Sequence, residues 1–179
     1  MQAITAAGFA YAIMSFLMTA TPMSMHLMEK MSLETTGLVL QIHVAAMFLP
    51  SLITGHLIKK FGHSKIMYVG VLFFIVMIIL SLFEQTYTNY MVALIFLGFG
   101  WNFLFISGTS LVVLTYKEEE KFRAQGINDL IVFTTMAIAS LAAGILLSLT
   151  SWKTMNLICI PFLILIIFST FRADILNKK

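Results

Sequence analysis

Long apolar runs alternate with short polar segments along this chain, and the alternation yields six runs. They fall at about 3–25, 35–58, 65–83, 89–115, 128–149 and 153–171, each long enough to carry an α-helix across a hydrocarbon core of roughly 30 Å. Helix is the required form, because lipid offers no partner to a free backbone N–H or C=O. The runs are too long and too uniformly apolar for the alternating strands, about ten residues each, of an outer-membrane barrel. The pattern predicts an all-α membrane protein, with residues 1–179 forming a single six-helix transmembrane domain.

The six spans are not alike. The third (IMYVGVLFFIVMIILSLF) and the sixth (TMNLICIPFLILIIFSTF) have interiors built almost wholly of large apolar residues, which suits a helix facing lipid. The first, second, fourth and fifth carry polar or small residues at mid-membrane depth. These are Ser15, Thr19 and Thr21; Gln41 and His43; Trp101, Asn102, Ser107 and Thr109; Thr134, Thr135 and Ser140. Polar side chains at that depth turn toward the bundle interior or a water-filled cavity. The order polar, polar, lipid then occurs twice and predicts a 3+3 inverted repeat, an arrangement found in secondary transporters. Pro50 and Pro161 predict bends. Gly98, Gly100 and Gly108 predict a tilted or irregular fourth helix. Ala139, Ser140, Ala143 and Gly144 in the fifth span form small-xxx-small pairs that allow close helix packing, within the chain or at a subunit interface.

Composition agrees with the membrane assignment: 60% of residues are hydrophobic and 11% charged, against about 45–50% and 25% in soluble domains. The formal charge of +3 does not indicate nucleic acid, because the basic residues are divided among loops. Of the 11 Lys and Arg, one side of the membrane would hold Lys59, Lys60, Lys65, Lys117, Lys121, Arg123, Arg172, Lys178 and Lys179, and the other only Lys30 and Lys153. Cytoplasmic loops carry the basic excess. Both termini are therefore expected in the cytoplasm of a multi-pass protein of the inner or plasma membrane. The N-terminus lacks the basic start of a signal peptide, and only Met1 and Gln2 precede the first run. Cys159, the one cysteine, excludes an internal disulfide.

Two loops carry motifs. After the second span the chain reads GHLIKKFGHSK, where Gly62 permits the chain to reverse and the basic residues pin the turn to the cytoplasmic face. After the fourth it reads TYKEEEKFRAQGIND, with Glu120, Arg123, Ala124, Gln125, Asn128 and Asp129 leading into the fifth span. Through Gly55, Lys60 and Gly62 the first segment resembles the loop between the second and third helices of each half of a major facilitator superfamily transporter. It departs from that pattern by Lys59 in place of aspartate and by His63 and Ser64 in place of a basic pair, as in the more degenerate loop of the second half. The second segment resembles the loop between the fourth and fifth helices of such a half. The stretches TATPMSMH, QIHVAAMFLPSLITG and GFGWNFLFISGTSL resemble helices seven, eight and ten. The resemblance covers essentially the whole chain and implies the C-terminal six helices of a twelve-helix transporter. It further implies a solute bound near the midplane between two halves that rock about it.

Within that frame, Asn102 beside Trp101 is the leading solute-contact candidate, since an amide next to an aromatic ring suits a polar organic ligand; the alternative is that Asn102 ties helices together. His43 could relay protons or bind solute, or be a neutral imidazole bonded to a neighbouring helix. Gln41 lies two positions away, about 200° around the helix, so both cannot face one cavity. Asp129 could couple transport to a cation. The favoured reading is structural: an anion in the first turn of the fifth span, after an N-cap at Asn128 and paired with Arg123. The run Glu118 to Glu120 reads as a solvated face.

No phosphate-binding loop, zinc motif or paired intramembrane aspartates point to an enzyme. The four histidines do not make a metal site by spacing, and no cofactor is implied. The expected partners are the lipid bilayer, an unidentified small solute, and either a missing N-terminal six-helix half or a second copy of the chain. The alternative is a truncated or non-transporting fragment that only packs against a partner.

Overall fold

A computed structural model describes residues 2–176, and these are helical with no strand among them. Helix α1 (Gln2–Pro22) continues into a π-helical turn over Met23–Met28. Then come α2 (Leu33–Phe48) and α3 (Ser51–Phe61), α4 (His63–Ser81), and α5 (Tyr87–Val113). A 3-10 turn over Glu118–Glu120 leads into α6 (Lys121–Leu149), followed by α7 (Trp152–Ile158) and α8 (Ile160–Leu176). Six helical stretches are long and apolar enough to cross a membrane: Gln2–Met28, Leu33–Phe61, His63–Ser81, Tyr87–Val113, Glu118–Leu149 and Trp152–Leu176. Met1, Lys178 and Lys179 lie outside the described residues.

The second, fourth and sixth spans start alike. Ser32, Thr86 and Ser151 are extended N-cap residues whose hydroxyls accept the backbone N–H of Thr35, Asn89 and Thr154 at 3.0, 3.3 and 3.3 Å. Each cap satisfies a donor that the first helical turn leaves free. The fifth span starts differently from the sequence expectation. Helix α6 begins at Lys121, so Asn128 is a buried residue inside it rather than its N-cap, and Asp129 is not in its first turn. Apolarity marks where a helix enters hydrocarbon, whereas Lys121 to Asp129 contains no proline and continues the helix outward through its polar part.

The helix pairings repeat in the manner of two triplets. The first span packs on the fifth and the fourth on the second; the fourth packs on the third and the first on the sixth. Exchanging one triplet for the other maps each of these pairings onto its counterpart. The first and fourth spans pack on each other at the centre, and the third touches the sixth. Burial follows the same division: 61% of the most apolar stretch of the fourth span is buried within the chain, against 17% of the fifth. The second and fifth spans thus flank the central pair and leave broad faces uncovered.

Close approach at the centre depends on small residues. Gly98 of α5 lies so near α2 that a Cβ there would stand 2.9 Å from the Ala46 carbonyl carbon. The glycines do not make α5 irregular as the sequence suggested; the helix runs unbroken from Tyr87 to Val113. The interruptions lie elsewhere. Leu49 and Pro50 separate α2 from α3, and Cys159 separates α7 from α8, with Pro161 in the first turn of α8 where a missing N–H costs little. Pro22 ends α1 where the π-helical turn begins.

Of the small residues in the fifth span, Ala143 is fully buried and Ser140 bonds the Thr19 hydroxyl of α1 at 2.9 Å. That is packing within the chain. A Cβ on Gly144 would meet nothing within 4 Å.

Candidate functional site

The central pair α1–α5 presents a set of aromatic rings between its two flanking spans. Trp101 and Phe105, one helical turn apart on α5, lie nearly parallel, 4.9 Å between centroids and 11° between planes. Tyr11 of α1 stands edge-on to both, at 5.4 and 5.2 Å. Phe48 at the end of α2 meets Trp101 at 6.0 Å, and Phe133 of α6 meets Tyr11 at 6.0 Å. Separations of this size and tilted or offset geometry are those in which aromatic rings attract. Trp101 is buried and its indole Nε1–H has no hydrogen-bond partner among the described residues. Phe48 and Phe133 are exposed.

Asn102 points elsewhere. It is fully buried, and its Nδ2 donates to the Met47 carbonyl at 2.7 Å and to the Ser51 hydroxyl at 2.6 Å. Because Met47 O can only accept, the amide nitrogen must face it. The Thr54 hydroxyl lies 2.6 Å from Asn102 Oδ1 and 2.7 Å from the Pro50 carbonyl, and donates its single hydrogen to one of them at a time. Met47 is the penultimate residue of α2 and Ser51 opens α3. The amide therefore spans the break at Pro50, with both of its N–H groups engaged inside the chain.

His43 is also fully buried, with Nδ1 2.8 Å from the Leu94 carbonyl. A carbonyl cannot donate, so Nδ1 carries the proton and Nε2 is left as an acceptor without a partner among the described residues. Gln41 is exposed on the outer side of α2. The structure thus separates the two residues as the helical spacing required.

The loop motif residues fall in two segments, one around the α3–α4 junction and one from the 3-10 turn into α6. Gly55, Lys60 and Gly62 are exposed. Gly62 takes φ +88°, a left-handed value that suits glycine, and its N–H bonds Ile58 O at 2.8 Å where α3 turns into α4. Lys60 Nζ sits 5.2 Å over the Phe61 ring. In the second loop, Glu120 accepts from the Lys117 backbone N–H at 3.5 Å, and Lys121 pairs with Glu118 at 3.3 Å. Arg123 and Asp129 are both exposed, and Asp129 accepts a 3.1 Å bond from its neighbour Asn128. The expected Arg123–Asp129 ion pair is not among the contacts of the described residues.

Three features escaped the sequence reading. One is the ring set around Trp101, for which only the i, i+4 spacing of Trp101 and Phe105 is visible in the chain. The second is the π-helical turn after Pro22, held by a 2.7 Å bond between Ser24 Oγ and Tyr90 OH and by His26 Nδ1–H to Met31 O at 2.8 Å. The third is the reach of the Asn102 amide across the Pro50 break.

Comparison with known proteins agrees with this architecture. Residues 3–176 match the model of the Major Facilitator Superfamily. The riboflavin transporter RfnT of Brucella anthropi is 40% identical over 164 residues, covering 92% of this chain and 41% of that protein. The MFS-type transporter YdeG of Bacillus subtilis is 30% identical over 148 residues, covering 82% of this chain and 34% of its own length. The transporter YebQ of Escherichia coli is 29% identical over 112 residues, 63% of this chain and 24% of that protein. The chain thus spans less than half the length of these relatives. A family match over nearly all of the chain, on a bundle of six membrane-length helices, establishes that this protein belongs to the Major Facilitator Superfamily of transporters rather than to a family of enzymes.

Proposed function

We propose that this chain forms one half of a solute pathway that works by alternating access. It acts with a second six-helix half, either an N-terminal half or a second copy of itself, and both termini face the cytoplasm. The solute is a small organic molecule with a planar heteroaromatic ring, riboflavin being the first candidate. The observation that carries this reading is the 40% identity to a riboflavin transporter over 92% of the chain. Two further features support it. The flanking spans leave wide faces uncovered, with Leu130, Leu141 and Leu149 of α6 and Leu49 and Leu52 of α3 and its entry exposed, as a surface meant for a second half requires. The basic residues of the loops concentrate on one side, as the positive-inside rule demands of cytoplasmic loops.

Labelled riboflavin flux into lipid vesicles tests the reading. The chain is reconstituted alone and together with the portion of the Brucella anthropi relative that it does not match. Flux in either preparation supports the proposal and identifies the second half. Absence of flux from both, with the two polypeptides recovered as a complex, would show a fragment that only packs against a partner.

A further inference from the structure

We propose that Tyr11, Trp101 and Phe105 form a stacking subsite for a planar, carbonyl-bearing ring, with the Trp101 indole N–H as hydrogen-bond donor. This rests on the transport reading above and names the part of the solute that this half holds. Two independent observations carry it.

The first is the placement of the rings. Trp101 and Phe105 are parallel at 4.9 Å, and Tyr11 braces both edge-on. The set lies between the flanking spans, and each flank contributes one exposed ring: Phe48 at 58% and Phe133 at 51% exposure. Trp101 is itself 3% exposed and backs the set, while Tyr11 and Phe105 are half-buried and carry its open side. Here the ring cluster ends in exposed ring surface on two different helices, beside the uncovered faces of α2 and α6. Such a surface accepts a flat ring of any sequence or source, because every aromatic ring offers a π-face.

The second is the unpartnered donor. Trp101 is 3% exposed, yet its Nε1–H meets no acceptor among the described residues. A buried donor without an acceptor is costly, and native structures rarely keep one without a reason. A ring carbonyl that enters as the half-buried Tyr11 and Phe105 rings part supplies the acceptor. Stacking alone would select for flatness; the indole N–H adds a preference for rings that carry an oxygen acceptor at the edge.

The test uses the full chain in lipid nanodiscs, with riboflavin as probe and its fluorescence anisotropy as readout, which follows binding whether or not an indole lies beside the flavin. A rise in anisotropy on titration is expected. Lumichrome, which has the tricyclic ring without the sugar chain, should compete within about threefold, and ribitol should not compete. Trp101→Leu should weaken binding about tenfold or more, and Trp101→Phe, which keeps a ring but loses the N–H, about threefold. Phe105→Leu provides a second variant should Trp101→Leu fail to elute as a folded particle. Phe103→Leu, on the opposite side of α5, should bind as the unsubstituted chain does. Wild-type affinity in both folded Trp101→Leu and Phe105→Leu overturns the subsite, as does competition by ribitol but not lumichrome, or no rise in riboflavin anisotropy. The vesicle assay separates the two claims. Riboflavin flux unaffected by Trp101→Leu removes the subsite and leaves transport standing. Lumichrome bound through Trp101 without any riboflavin flux does the reverse.

Discussion

Helix α5 carries two sets of aromatic rings that face opposite ways. On one side, Phe73 of α4 gathers Phe96, Phe99 and Phe103 at centroid distances of 5.7, 5.7 and 5.6 Å. On the other, Trp101 and Phe105 meet Tyr11, Phe48 and Phe133. The first set is pure hydrocarbon and joins two neighbouring helices. The second draws on four helices and includes an indole N–H and a phenol. In lipid the solvent is as apolar as phenylalanine, so association rests on packing rather than on removal of rings from water. Ring burial by itself is therefore uninformative here. What distinguishes the two sets is the polar atom kept among the rings, and only the second has one.

That contrast can be attacked in order of expected effect. Phe73→Ala removes a ring that holds three others and should lower stability by about 2–3 kcal/mol. Equilibrium unfolding in mixed micelles reads the loss, while riboflavin affinity stays unchanged; a matching loss of affinity would erase the distinction between the two sets. Asn102→Ala should cost about 2 kcal/mol in the same assay, because it strips a partner from Met47 O and from Ser51. Affinity should change far less than stability. The opposite result would return Asn102 to the solute and make it a partner of Trp101. Trp101→Leu should show the mirror image, with about a tenfold weaker flavin affinity and a smaller change in unfolding. Ser140→Ala, which breaks the 2.9 Å bond to Thr19, should cost only about 0.6 kcal/mol, the average for interhelical bonds in membranes. Gly144→Ala should lie within about 0.5 kcal/mol of zero, since the added methyl meets nothing within 4 Å. A large loss of complex with the second half in that variant alone would place Gly144 at the interface between halves.

The spans were readable because a helix that crosses lipid must be long and apolar, and no tertiary contact can hide that requirement. The division into central and flanking helices was partly readable as well. Mid-membrane polar residues marked four spans for the interior side, and Asn102, Ser107, His43 and Thr21 are indeed fully buried. Their roles were not readable, because an amide aimed at a solute and an amide aimed at Met47 O look the same in a sequence. The start of α6 was misplaced for a related reason: hydropathy reports the solvent of a residue, not its backbone. Trp101 could be singled out from its neighbours on one helix. Tyr11, Phe48 and Phe133 could not, since only the fold brings residues so distant in the chain to within 6.0 Å.

The break at Pro50 has a consequence for how the protein is made. The chain emerges from the ribosome N-terminus first, so α2 and α3 are complete before residue 102 has been synthesised. Until then only local backbone bonds, such as Leu52 N–H to Leu49 O at 3.3 Å, hold the joint between the two helical segments of the second span. Its bend is set only when the fourth span arrives with the Asn102 amide. The shape of an early segment is thus stored in a later one, and a ribosome stalled between them would leave an unbraced hinge in the bilayer.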